Sequence, residues 1–83
     1  MRLDKYLKVS RLIKRRTVAN EACDGGRVTV NGRDAKASYD VKVGDAIAVR
    51  FGARTVCVEV LSVAENVKAA DAGAMYREVI QNS

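Results

Sequence analysis

Seven basic side chains fall within the first sixteen residues: Arg2, Lys5, Lys8, Arg11, Lys14, Arg15 and Arg16, against a single acid, Asp4. Arginine offers a planar fork of N–H donors that matches the oxygens of a phosphate, and lysine offers a mobile point charge. The chemistry open to this set is the capture of an anion. Arg2, Lys5, Lys8 and Arg11 recur every three residues. On a helix each such step rotates by about −60°, so the four wind as a slanted band. Lys14, Arg15 and Arg16 continue it to the start of a second helix, where free backbone N–H groups favour an anion. Thr17 could add a hydroxyl there.

The charge is segregated. Residues 1–16 carry a net +6, whereas the other 67 residues hold eight basic and nine acidic groups, −1, for a total of +5. That asymmetry implies a polyanionic partner, nucleic acid or a membrane surface. A face that only keeps a protein soluble mixes both signs, and seven cations to one anion fit it poorly. Membrane adsorption would need large apolar residues on the opposite helix face. Here Leu3, Leu7, Val9, Leu12 and Ile13 are better used as core.

Other chemistries find little support. Histidine is absent, and Cys23 and Cys57 do not form a CxxC pair, so the usual zinc sites lack ligands. Neither a Gly-rich phosphate loop nor a paired-carboxylate motif is present. The chain is expected not to be an enzyme and to need no cofactor or metal. The cysteines read as two small core residues. No apolar run reaches bilayer length and no signal-peptide pattern opens the chain, so a soluble cytoplasmic protein is expected. The aromatics are few: Tyr6, Tyr39, Phe51 and Tyr76. Tyr6 and Tyr39 are candidates for base stacking, or else core and boundary residues. Recognition of folded RNA by backbone and shape fits this composition better than reading of unpaired bases.

Positioning the basic band requires helices. Leu3, Tyr6 and Leu7 follow the i, i+3, i+4 spacing of an amphipathic helix, with Asp4 suited to its first turn and Ser10 as a break or cap. Thr17 is the expected N-cap of a second helix that buries Val18, Ala22 and Cys23 and stops at Gly25-Gly26. Arg27–Val30 alternates like a strand, and Asn31-Gly32 signals a hairpin with a return over residues 33–38. A turn at Val41–Asp45 leads to a strand at 46–51. Gly52-Ala53 turns the chain into another at 54–63, with Val56, Val58 and Val60 on one face. Residues 68–81 are helix-prone, although Gly73 weakens that reading. The order predicts an α+β domain: two N-terminal helices on a small antiparallel sheet, with a short C-terminal helix.

These residues also carry a family pattern. Arg2-Leu3-Asp4, Leu7, Ser10-Arg11, Gly26, Val28, Val30-Asn31-Gly32 and Val41 through Val49 occur in the order of an S4-type RNA-binding domain, and residues 1–51 resemble that family. The resemblance implies the αL fold over residues 1–66, with residues 67–83 as a helical extension. It implies an RNA-facing surface of Arg2, Lys5, Lys8, Ser10, Arg11, Lys14, Arg15, Arg16, Thr17 and Asn20, joined by Arg27 and Lys36. Arg2 and Arg16 are expected to matter most, and Arg11 is expected either to touch RNA or to pair with Asp4. Asn31, Gly32, Gly44 and Asp45 also match the pattern, but turn chemistry explains them.

Within the family the chain looks most like the stand-alone bacterial factors of ribosome-associated quality control. That likeness implies binding to obstructed large ribosomal subunits, contact with ribosomal RNA and peptidyl-tRNA, and support of C-terminal alanine tailing alongside a tailing factor, by a monomer. The alternatives are a heat-shock-type S4 protein that recycles free large subunits carrying peptidyl-tRNA, a relative with a longer basic C-terminal extension, and a protein-binding adaptor.

Overall fold

Turn chemistry sets the frame. Asn31 and Gly32 have φ of 54° and 83°, the left-handed pair that a type I′ hairpin requires, and they join β1 (Val28–Val30) to β2 (Arg33–Asp34). Gly52, with φ of 60°, starts the tight turn between β3 (Ala46–Phe51) and β4 (Arg54–Val60). The computed structural model describes residues 1–64 and 68–79. Two helices, α1 (Leu3–Val9) and α2 (Arg16–Asp24), precede the strands. A 3₁₀ helix, Ala69–Met75, and β5 (Tyr76–Glu78) follow them. The strands form one antiparallel sheet in the order β2-β1-β3-β4-β5. The α+β arrangement of two helices and an antiparallel sheet is as the sequence predicts.

Strand alternation sends one set of side chains toward the helices. Val28, Val30, Ile47, Val49, Val58 and Val60 are buried there against Leu3, Tyr6, Leu7, Ile13, Ala19, Ala22 and Cys23. Each such aliphatic side chain contributes roughly 1.5–3 kcal/mol by leaving water. The other face presents Thr29, Ala48 and Cys57 in register across β1, β3 and β4.

The start of α1 is fastened to the loop before β3. Helix geometry leaves the first amides without partners; here the Leu3 N–H donates to the Tyr39 carbonyl (2.8 Å) and the Asp4 N–H to the Ala37 carbonyl (3.2 Å). The Val41 N–H donates to the Met1 carbonyl (2.8 Å), and the Met1 amine pairs with Asp40 (2.8 Å). A second network ties the two turns together. Asp45 accepts from the Lys42 N–H (3.0 Å), the Asn31 side-chain amide (3.2 Å) and the Tyr39 hydroxyl (3.3 Å).

Four local expectations change. The helix-prone tail divides into a 3₁₀ helix and a strand; residues 80–83 lie outside the described residues. Tertiary bonds override local propensity here. The Met75 carbonyl accepts from the Leu61 N–H (2.8 Å), the Ser62 N–H (3.1 Å) and the buried Tyr6 hydroxyl (2.7 Å). Residues beyond Met75 are then carried along the β4 edge, where Arg77 pairs with Glu59 (2.7 Å). α2 begins at Arg16 rather than after a Thr17 cap. Val18 is 47% exposed, because Ala19, Ala22 and Cys23 supply the buried stripe. The second and fourth strands are shorter than the sequence suggests, ending at Asp34 and Val60.

Candidate nucleic-acid interface

α1 and α2 meet at Asp4. Its side chain is only 3% exposed, and a carboxylate so buried must be paired. It accepts from Arg2 Nε at 3.2 Å, from the Lys5 backbone N–H at 2.8 Å and from Asn20 Nδ2 at 3.2 Å. Arg16 Nε completes the set with an ion pair at 3.4 Å. Burial alone would push the Asp4 carboxyl up, but donation from Arg2, Asn20, the Lys5 backbone and Arg16 outweighs it. The result is a pKa of about 2 instead of the ordinary 3.8. Arg2 meets the carboxylate through Nε and Nη2 (3.5 Å) and Arg16 through Nε, and the two side chains stay 51% and 48% exposed. One buried anion thus holds two half-exposed arginine side chains at the surface. A shallow cleft of about 370 Å³ opens beside them, lined by Asp4, Arg16, Thr17, Asn20 and Glu21.

Part of the expected surface gathers around this clamp. Arg2, Arg16, Thr17 and Asn20 stand together at the helix crossing. Lys14 and Arg15 are exposed at the entry to α2, Lys8 is exposed on α1, and Lys5 is half-buried. Lys36 is exposed beside Ala37, whose carbonyl meets the first turn of α1.

Three residues behave otherwise. Ser10 is fully buried at the end of α1 and donates its hydroxyl to the Leu7 carbonyl (3.3 Å), so it cannot face RNA as expected. Arg11 does not pair with Asp4, whose oxygens are taken by Arg2 and Arg16. It adopts left-handed backbone, φ 65°, which ends α1 and lets the Ile13 N–H reach the Leu7 carbonyl (3.0 Å). Arg27 lies at the far strand end, where its carbonyl accepts from the Arg50 N–H (2.9 Å).

Neither tyrosine named for stacking is a free ring. Tyr6 is fully buried, and burial pushes its hydroxyl pKa up. Tyr39 is half-buried with its hydroxyl on Asp45. Cys23 is buried and Cys57 half-buried, both as free thiols. No helix among the described residues is long and apolar enough to cross a membrane. The sequence reading missed the clamp itself. Its signal was an acid directly following Arg-Leu, with a second arginine and an asparagine at 16 and 20.

A family model described as the S4 domain matches residues 1–47, the stretch from the chain start through α1 to the beginning of β3. The chain belongs to the S4 domain family. Among curated relatives, it is 57% identical over 76 residues to the RQC P-site tRNA stabilizing factor of Halalkalibacterium halodurans, covering 92% of this chain and 86% of that one. It is 54% identical over 83 residues to the factor of that name from Streptococcus pneumoniae, covering 100% and 93%. Heat shock protein 15 of Escherichia coli is 33% identical over 84 residues, covering 99% of this S4 chain and 62% of that protein. Among solved structures, trimeric Heat Shock Protein 15 of Vibrio cholerae superposes with a TM-score of 0.87 at 34% identity, covering 95% and 81%. The solution structure of hypothetical protein HP1423 gives 0.81 at 33%, covering 99% and 100%.

Proposed function

We propose that this S4 chain is a non-catalytic RNA-binding factor of ribosome-associated quality control. It binds obstructed large ribosomal subunits, touches ribosomal RNA and the peptidyl-site tRNA, and supports C-terminal alanine tailing of stalled nascent chains with a tailing factor. The observation that carries the reading is the pair of arginine forks, Arg2 and Arg16, held on buried Asp4. Ordering long side chains on binding costs about 0.5–1.5 kcal/mol each, and Asp4 meets that cost before RNA arrives. Phosphate contacts of this kind fix position and register on folded RNA. The names of relatives at 54% identity and above support the ribosomal part.

The reading is tested by sedimenting a lysate on a sucrose gradient under conditions that accumulate obstructed large subunits. The wild-type protein is expected in the large-subunit fractions and the Arg2→Ala/Arg16→Ala double variant at the top. Wild-type protein that stays at the top overturns the proposal. Salt provides a second check, because each phosphate contact removed should reduce the slope of log affinity against log salt by about one.

The likeness to Heat Shock Protein 15 favours a second reading, recycling of free large subunits that carry peptidyl-tRNA. The two separate on whether deletion of the gene abolishes alanine tails. We propose that the chain acts as a monomer, and the trimeric relative makes sedimentation equilibrium the direct check.

A further inference from the structure

The helices do not cover the whole core-side face of the sheet. On β3 and β4, Ile47, Val49 and Val58 are buried beneath them. The same alternation then runs on to Phe51 and Arg54, paired with each other across the strand ends. There the apolar ring emerges into solvent, 41% exposed. The connection from α1 to α2 faces it. Arg11 and Leu12 of that connection, together with Phe51 and Arg54, wall a cleft of about 320 Å³ with Val56, Tyr76 and Glu78 also lining it. This cleft shares no lining residue with the one beside Asp4.

Three features mark this cleft. A large aromatic is left in water at the rim of an otherwise buried face. Two arginines flank it. One of them, Arg11, sits in left-handed backbone, a conformation that costs a side-chain-bearing residue about 1–2 kcal/mol and that concentrates at binding sites.

We propose that this cleft binds an unpaired nucleotide of RNA, with the base against the Phe51 ring and the flanking phosphates on Arg11 and Arg54. The inference rests on the RNA-binding reading above and adds a second contact to it. Every base offers a π-face to an aromatic ring, and guanidinium forks match phosphate oxygens. Glu78 repels phosphate from its side of the cleft and offers an acceptor to an exocyclic base amine. Arg11 belongs to the same basic segment of the chain as Arg2 and Arg16 and lines this second cleft. One small domain would then grip folded RNA through Arg2 and Arg16 and a flipped-out base through Phe51.

The test compares two probes by fluorescence anisotropy at low salt, a labelled twelve-nucleotide oligoadenylate and a blunt RNA duplex of equal length. Phe51→Leu keeps the apolar volume but removes the π-face, and Arg54→Gln removes a fork. Both positions are exposed, and melting curves check that the variants fold. Each variant is expected to weaken oligoadenylate binding by about fivefold or more while duplex affinity stays within about twofold. Arg2→Ala/Arg16→Ala is expected to weaken the duplex most. Ultraviolet crosslinking of the wild type to oligoadenylate is expected to mark the peptide containing Phe51. If both cleft variants bind oligoadenylate like wild type, or the wild type binds duplex alone, the cleft is not a nucleotide site. If the wild type binds neither probe, the RNA-binding reading fails first, a result distinct from failure of the cleft.

Discussion

Replacing Asp4 by asparagine separates positioning from charge counting. The substitution keeps the size of the side chain and removes the anion that Arg2 and Arg16 share. The shift of the Asp4 carboxyl from 3.8 to about 2 corresponds to roughly 2 kcal/mol, which solvent screening of the half-exposed guanidiniums trims to about 1–2 kcal/mol. For a domain of this size the melting temperature should fall by about 4–15 °C at pH 7. The carboxyl pKa is lower folded than unfolded. Its stabilisation is therefore present above about pH 4 and lost as the pH falls toward 2, and the asparagine variant should lack that acid-dependent loss. RNA affinity gives the sharper contrast. Removing an acid raises the net charge by one, so charge counting predicts tighter binding. In the positioning account, two guanidiniums must instead be ordered when RNA arrives, at about 0.5–1.5 kcal/mol each, so binding should weaken by roughly five- to hundredfold. Filter binding of a folded RNA, at a temperature where circular dichroism finds both proteins native, decides between them. Equal or tighter binding by Asp4→Asn would refute the reasoning.

Other outcomes follow from the same contacts. Tyr6→Phe removes the bond to the Met75 carbonyl but leaves its two amide donors, so stability should fall by about 1 kcal/mol; an unchanged urea midpoint would contradict this. Iodoacetamide near pH 8 should label Cys57 well before Cys23, whose thiol burial pushes up to about 11; equal labelling in the native state would mean that α2 opens readily. Arg11→Gly relieves left-handed strain while loosening the unfolded chain by about 0.5–1 kcal/mol. Stability should therefore stay within about 1 kcal/mol of wild type while oligoadenylate affinity drops; a larger loss of stability would mean that the guanidinium holds the turn.

Much of this fold is legible in the sequence because short-range chemistry fixes it. Asn31-Gly32 specifies its turn by backbone geometry alone, and Gly26, with φ 78°, ends α2 region as a glycine pair should. Strand alternation sorts Val56, Val58 and Val60 to one face. The tail is different. Ala69 to Met75 is rich in alanine, yet what decides its path is a carbonyl at Met75 met by Tyr6, 69 residues away, and no local propensity encodes that. The clamp was half legible. The basic residues stand out by count, but that Asp4 serves Arg2 and Arg16 rather than Arg11 depends on how two helices cross. Ser10 matched a motif position and proved internal, because a hydroxyl at a helix end is as readily satisfied by its own backbone as by a ligand. Phe51 drew no notice because an aromatic at a strand end usually belongs to the core.

The most direct measurement of the central claim is crosslinking to RNA in living cells, followed by sequencing of the bound fragments, for the wild type and the Arg2→Ala/Arg16→Ala variant expressed at equal levels. The account predicts fragments of large-subunit ribosomal RNA and of tRNA with the wild type, both depleted in the variant. Recovery of the same fragments in the same amounts from both proteins would contradict it.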